Sequence, residues 1–327
     1  MESLIRFLIR HGQSLIFAGL ASFGLWAGGR ATVDGLPRLF GALTPGIEAK
    51  AEPTSPGVPR TITRLTLTGF PQSRYLPQML YPVTAKTFPA WMTGASGETK
   101  PVIAICIDDL GEDPIGTSKA IRLPQAVALS FLPYAETTPA FAVEAHLRGH
   151  VVLAHIPMQA VSATDPGPMA LTIGMERNEV IRRLAWSLGR VPDAVGINNH
   201  EGSRFTADAV AMEPVMQVLK ARGLFFFDSR TSAASRGATA AQAAGVQYVG
   251  RDVFLDDDQS AAAVERQLEA LAATAKRQGA AIAIGHPHAV TLALLAEWLN
   301  QDHGVRLVTL PEAMRIKTAL QTGMAAR

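Results

Sequence analysis

Residues 102 to 113 read VIAICIDDLGED, so six residues suited to burial run straight into two adjacent carboxylates, Asp108 and Asp109. Side chains alternate along a strand, and the pair would point to opposite faces unless the chain breaks into a loop there. Other apolar runs end in a similar way. His155 falls at the end of HVVLAHI, Asn198, Asn199 and His200 follow AVGI, Asp228 closes GLFFFD, and His286 and His288 follow AAIAIG. Imidazoles and carboxylates that converge can bind a divalent metal, and one Asp with two His suits zinc or a related first-row ion. Three protein ligands leave positions for water, whose pKa the ion lowers toward neutrality, so that a hydroxide equivalent can attack a carbonyl. The second aspartate of the pair can then serve as general base.

Each element also has a simpler reading. Asp109 could cap a helix that begins near PIGTSKAIRL, and His155 could be a hydrogen-bonded core histidine. NNHEGSRF is harder to explain by packing, because two amides, a histidine and an arginine follow an apolar strand while Gly202 permits a tight turn. In GHPH, Pro287 stiffens the backbone between two imidazoles. Asp228-Ser229-Arg230 reads equally as an internal ion pair that orients its neighbours or as part of a catalytic apparatus. The run Asp256-Asp257-Asp258 reads as the acidic start of a helix, favoured by the helix dipole, and is assigned no chemistry. Cys106 is the single cysteine, which precludes an intramolecular disulfide, and it reads as a buried small hydrophobe.

For these residues to meet, the chain must supply a scaffold that gathers strand ends. After Lys100 the sequence breaks into short apolar runs: VIAICI, AVALSFL, HVVLAHI, AVGINN, GLFFFD, VQYVGRDVFL, AAIAIG and VRLVTL. Between several of them lie segments with helical spacing: MERNEVIRRLAWSLGRV, AVAMEPVMQVLKARG and SAAAVERQLEALAATAKRQG. In the last, Val264, Leu268, Leu271 and Ala275 share a face, with Ser260 as N-cap and Gly279 as stop. Continuous apolar strands alternating with helices indicate an α/β fold with a parallel sheet covered by helices, and the number of strands favours barrel-like closure. In such a fold the loops at the strand carboxyl ends share one rim, where side chains distant in sequence can meet.

Composition sets outer limits. Of 327 residues, 48% are hydrophobic and 18% charged, which gives a globular chain with a sizeable core. A formal net charge of +2 without a long basic run excludes a nucleic-acid footprint. From Gly12 to Gly29 the 18 residues GQSLIFAGLASFGLWAGG carry no charge and follow Arg6, Arg10 and His11. At ~1.5 Å per residue such a helix is about 27 Å long, close to a bilayer's hydrocarbon thickness. The basic flank predicts a cytoplasmic N-terminus and an exported remainder, with Ala27, Gly28 and Gly29 as a possible cleavage site. The expected organisation is a signal-anchor or signal peptide over 1–30, a Pro/Gly-rich linker over 31–99, and a catalytic domain over 100–327 at the cell envelope, on the periplasmic side of the inner membrane.

AICIDDLG, LSFLPYA, HIPMQ, VGINNHEGSRFT, LFFFDSRT, RDVFLDD and AIAIGHPH, in this order, resemble the divergent polysaccharide deacetylase family, relatives of the NodB-type carbohydrate esterases. The resemblance covers about residues 100 to 315. It implies a NodB-like distorted (β/α) barrel with parallel strands, a divalent metal expected to be zinc, and hydrolytic removal of N- or O-acetyl groups from an envelope polysaccharide. The superfamily's first motif carries over as Asp108, the base, and Asp109, a metal ligand. The superfamily's pair of histidines one helical turn apart is missing here. His155 occupies the corresponding strand end, and His200 is the expected second imidazole ligand. The late histidine that protonates the leaving group corresponds to His286 or His288. Arg204, or backbone amides near Gly111 or Gly202, are expected to stabilise the oxyanion. Asn198, Asn199, Asp228 and Arg230 are expected to orient ligands or bind sugar hydroxyls. No protein partner is implied. The alternative is a non-catalytic glycan-binding or scaffold protein that retains the barrel, and a metal phosphoesterase would need a richer set of carboxylates.

Overall fold

In a computed structural model, which describes residues 100–325, the apolar runs form nine strands separated by helices. The order is β1 (Val102–Leu110), α1 (Pro114–Ala120), β2 (Ala128–Phe131), α2 (Thr138–Leu147), β3 (Val152–Met158), α3 (Arg177–Arg190), β4 (Gly196–Glu201), α4 (Ala209–Arg222) and β5 (Phe225–Asp228). It continues with α5 (Gly237–Ala244), β6 (Tyr248–Gly250), β7 (Val253–Phe254), α6 (Ala261–Gln278), β8 (Ala280–Gly285), α7 (Ala289–Trp298), β9 (Arg306–Leu307) and α8 (Leu310–Ala325). The membrane segment and linker expected over residues 1–99 lie outside the described residues. Among the described residues no helix is long and apolar enough to cross a membrane.

The sheet runs β6-β5-β4-β3-β2-β1-β8-β7 with every pairing parallel, and β9 pairs with the first residues of β1. VQYVGRDVFL, expected as one strand, divides in two. Its first half pairs with β5 and its second with β8, at opposite edges of the sheet. The chain crosses between them at Arg251 and Asp252, whose N–H groups bond Asp228 O at 3.0 Å and Ile282 O at 2.8 Å. Among the described residues no ladder joins β6 to β7. The result is a parallel-strand α/β half-barrel, in place of the hydrogen-bonded closure expected from the strand count. Asp252 also pairs with Lys317 of α8 and accepts the Ile282 N–H at 2.8 Å, which ties this gap to the final helix.

Two apolar clusters occupy the two faces of the sheet, as strand alternation requires. On one face Ile103, Ile105 and Ile107 pack against side chains from α1 to α7, among them Leu184, Leu219, Leu268 and Leu295. On the other, Val102, Ala104, Cys106, Ala128, Leu153, Phe227, Ile282 and Ile284 gather with Leu310, Ala313, Met314 and Ile316, all at or within α8. This concave face is closed at one end by α8. At the other end the inward series turns polar: Asp108 follows Cys106, Ser130 follows Ala128, His155 follows Leu153 and His286 follows Ile284 at the same two-residue step. The expected helices appear as read, with Val264, Leu268, Leu271 and Ala275 buried and Gly279 at φ 82° ending α6.

Candidate metal centre

Strand β1 does not stop before the two aspartates. Opposite β2, Ile107 pairs with Leu129 and Leu110 with Phe131, so three steps on β1 face two on β2. The extra residue is a β-bulge, and Asp109 takes the left-handed φ of 57° that Asp tolerates better than most residues. The bulge breaks alternation at the point where it would have separated the pair, and both carboxylates reach one imidazole. His155 Nε2 lies 3.1 Å from Asp109 Oδ1 and 3.7 Å from Asp108 Oδ2. The reading of Asp109 as a helix cap is not borne out, since Asp113 caps α1 by accepting the Ile115 and Gly116 N–H groups at 2.9 and 3.0 Å.

His155 on β3 and Asn198 on β4 are register partners, and His200 lies one pleat beyond Asn198 on the same face. His200 Nδ1 is 2.8 Å from Asp109 Oδ1 and 3.3 Å from His155 Nε2. Asp109 Oδ1, His155 Nε2 and His200 Nδ1 thus form a triangle with edges of 2.8, 3.1 and 3.3 Å. Ligand atoms ~2.0–2.2 Å from one first-row cation, at angles between octahedral and tetrahedral, are separated by about 2.8–3.6 Å. Asp109 Oδ1 is buried, and although both imidazole nitrogens are close, neither aims a well-directed hydrogen bond at it. These three atoms can therefore hold a cation.

The surrounding charges agree. Burial opposes a positive charge on His155, but Asp108 and Asp109 outweigh it and raise its pKa. Burial would likewise raise the pKa of Asp109, yet His155 and His200 hold its carboxyl well below the usual carboxylate range. The cluster favours an ionised carboxylate beside a positive charge, whether that charge is a proton or a divalent ion.

Asn198 is fully buried and links the two sides of the cluster. Its Oδ1 accepts from His155 Nδ1 at 2.8 Å and from the Ser130 hydroxyl at 2.5 Å. Its Nδ2 donates to both oxygens of Asp108 at 2.8 Å. With a proton on His155 Nδ1, the neutral ring turns its Nε2 lone pair toward Asp109. The Cys106 thiol, two residues before Asp108 on the same face, lies 3.3 Å from Asp108 Oδ1. Burial, and then the Asp108 charge, push the thiol pKa up, so it stays a weak donor and a packing residue.

A second group faces this one. His286 Nε2 is 3.9 Å from Asp109 Oδ2, while its Nδ1 is 2.9 Å from Asp256 Oδ1. Asp256, read from the sequence as part of a helix cap, is instead buried beneath the site, and its Oδ2 accepts the His286 N–H at 2.7 Å and the Thr291 hydroxyl at 2.8 Å. The N-cap of α6 is Ser260, as expected, and Asp258 accepts its N–H at 2.9 Å. Burial lowers the pKa of His286, but Asp256 and then Asp109 overcome it, and the imidazole is pushed up to about 9. His288 precedes α7 as its N-cap residue, with its ring 5.9 Å from that of His286. Ligand atoms of Asp256, His286 and His288 also lie within 4.8 Å of one another. Since Asp256 already accepts three hydrogen bonds, this group is better suited to orienting His286 than to holding an ion.

The remaining expected residues fall outside the cluster. Arg204 is exposed and makes no side-chain hydrogen bond or ion pair with it, while its backbone N–H bonds Gln159 O at 3.1 Å. The Gly111 N–H, considered for the oxyanion, already donates to Thr117 Oγ1 at 3.0 Å. Asn199 points to the opposite side from Asn198, as alternation demands. It accepts the Ser229 N–H at 3.0 Å and donates to Glu201 O at 2.7 Å, so it fixes loops. Asp228 and Arg230 line a separate cavity one strand away. Arg251, not singled out from the sequence, donates to Ser229 O at 2.7 Å and Arg230 O at 3.0 Å, and its guanidinium lies 4.7 Å from the centre of the Phe254 ring.

Comparison with known proteins places this geometry in a lineage. The family model described as divergent polysaccharide deacetylase matches residues 105–314. The uncharacterized protein YibQ of Escherichia coli K12 is 38% identical over 195 residues, 60% of this chain and 61% of that protein, so the match spans less than two thirds of YibQ. An uncharacterized protein of Haemophilus influenzae Rd is 37% identical over 214 residues, covering 65% of this chain and 76% of that one. The crystal structure of an uncharacterized protein from Agrobacterium tumefaciens C58 superposes with a TM-score of 0.63 at 31% identity, covering 68% of this chain and 92% of the other.

Proposed function

The chain belongs to the divergent polysaccharide deacetylase family, and from that premise we propose that it is a metal-dependent hydrolase that removes acetyl groups from an envelope polysaccharide. The observation that carries this reading is the triangle of Asp109 Oδ1, His155 Nε2 and His200 Nδ1, flanked on one side by Asp108 and on the other by His286. Asp109, His155 and His200 would hold a divalent ion, for which two imidazoles and a carboxylate suit zinc. When bound, such an ion supplies Lewis acidity that polarises an acyl carbonyl and makes water more acidic.

The protein's own groups do the rest. Asp108 accepts the proton of the attacking water. Its oxygens are held by the Asn198 amide, and it is nearly inaccessible to bulk solvent, so its position is fixed before substrate arrives. Asn198 keeps the proton of His155 on Nδ1. His286, protonated at neutral pH through its bond to Asp256, offers its Nε2 proton to the departing amine or alkoxide. The choice between His286 and His288 goes to His286 because only its ring is both anchored by a buried carboxylate and directed at Asp109. Export to the periplasmic side of the inner membrane belongs to the same reading and is supported by the uncharged stretch from Gly12 to Gly29 behind its basic flank.

Acetate release tests the proposal. The protein offered acetylated chito-oligomers and peptidoglycan fragments should liberate acetate, stop on chelation and resume with zinc, and Asp108→Asn should lower the rate by about 10²–10⁴-fold with metal still bound. Metal-loaded protein that releases no acetate from any of these glycans would favour a binding or scaffold role.

A further inference from the structure

Arg251 follows β6 at the carboxyl end of the sheet, where the chain crosses the gap to β7. It lies at the two-residue step from Val249, which packs in the concave cluster. Its guanidinium is 4.7 Å from the centre of the Phe254 ring, and that ring is 5.2 Å from the ring of His286. One aromatic side chain therefore separates Arg251 from the imidazole that faces Asp109.

The guanidinium is fixed but only partly used. Nε donates to Ser229 O at 2.7 Å and Nη2 to Arg230 O at 3.0 Å, both carbonyls of the loop after β5. These bonds orient the group without neutralising it, and Nη1 keeps both of its protons. Arg251 is half-buried, and among the described residues no carboxylate lies within ion-pair distance of it.

The carboxylates that act on it from further away are each engaged elsewhere. Asp108 accepts from the Asn198 amide at 2.8 Å, and Asp252 pairs with Lys317 and accepts the Ile282 N–H at 2.8 Å. Asp228 accepts the Arg230 N–H at 2.8 Å and the hydroxyls of Ser235 and Tyr248 at 2.7 and 3.1 Å. Burial lowers the pKa of Arg251, as expected of a charge without a close counter-ion. A divalent ion on Asp109, His155 and His200 would not supply one. With a protonated His286 it balances Asp108, Asp109 and Asp256, and Arg251 is left over.

An anchored guanidinium with unspent donors is matched to a planar anion. A carboxylate offers two acceptor oxygens and cancels the single charge, whereas the second negative charge of a phosphate monoester would face Asp108 uncompensated. A neutral hydroxyl could accept from Nη1 but would leave the charge as it is.

We propose that Arg251 sets the specificity of the site by binding a carboxylate carried beside the acylated unit of the substrate. That this carboxylate belongs to the substrate of the metal centre rests on the hydrolase reading above, whereas the anion preference of Arg251 does not.

Cellotetraose and its C6-oxidised counterpart, β-1,4-linked tetraglucuronate, test it as a matched pair. They share backbone and linkage, have no acyl group to lose, and differ in the carboxylates alone. Calorimetry on the zinc-loaded, full-length protein at low salt should show tetraglucuronate binding about tenfold more tightly or better, with the preference shrinking as NaCl is raised. Arg251→Gln should bring the two affinities within about twofold. Arg251→Lys keeps the charge without the planar fork and should retain only part of the preference. No saturable binding of tetraglucuronate, equal affinities in the wild type, or a preference undiminished in both variants would each overturn the assignment, the last by placing the carboxylate on the metal. Failure of acetate release with the Arg251-dependent preference intact would remove the reaction and leave the anion site.

Discussion

Asn198 and Asp108 stand 90 positions apart in the chain, and in the half-barrel the amide nitrogen lies 2.8 Å from each oxygen of the carboxylate. The same amide's oxygen takes the Nδ1 proton of His155. One neutral side chain thus fixes both the base and a metal ligand, which makes the two halves of the cluster a single unit.

Asn198→Ala would leave a buried carboxylate and a buried imidazole each short of a partner. Thermal or chemical unfolding should show a loss of about 1–3 kcal/mol, and zinc affinity should fall about 10–100-fold. Asn198→Asp has the same shape but would set a second carboxylate against Asp108. It should rescue neither quantity, and near-normal zinc affinity in that variant would contradict the role given to the amide.

Asp109→Asn separates charge from conformation. Asn accepts a φ near 57° as readily as Asp does, so the bulge should survive and the metal-free variant should melt within about 4 °C of the wild type. Stoichiometric zinc binding, measured by elemental analysis after dialysis, should be lost. Retention of the metal would show that Asp109 is not a ligand.

His286 gives a signed pH dependence. Its pKa is raised to about 9 by Asp256 and Asp109 against the opposing effect of burial. A group whose folded pKa is raised contributes stability that is fully present below its unfolded value, ~6.5, and is lost as pH rises through the folded value. As a proton donor it is competent over the same range, so the alkaline limb of kcat should fall near pH 9. Asp256→Asn removes the charge that holds the proton, and the limb should move to lower pH. A limb that stays in place in Asp256→Asn would remove Asp256 from the account.

The sequence showed the architecture well because burial on both faces leaves strands as unbroken apolar runs that stand out between amphipathic helices. It also located His155, His200 and His286 by the rule that polar residues at strand ends share a rim. That rule, applied to VFL as it was to the other runs, would have found Asp256. The acidic run Asp256-Asp257-Asp258 imitates a helix start, but α6 is capped by Ser260, whose N–H Asp258 accepts, while Asp256 turns to His286. Splitting VQYVGRDVFL between two edges could not be read locally, because its composition is continuous and only the partners change. The bulge at Asp109 was equally hidden. It is a mismatch between β1 and β2, and neither strand alone records it. Arg204 looked functional because it follows the site residues closely, yet its side chain is exposed and bonds none of them.

Anomalous diffraction from zinc-soaked crystals tests the central claim most directly. A single strong peak is predicted within ~2.0–2.2 Å of Asp109 Oδ1, His155 Nε2 and His200 Nδ1. Zinc bound instead by Asp256, His286 and His288, with the first three side chains untouched, would contradict it, because the group assigned to carry the proton would then be holding the ion.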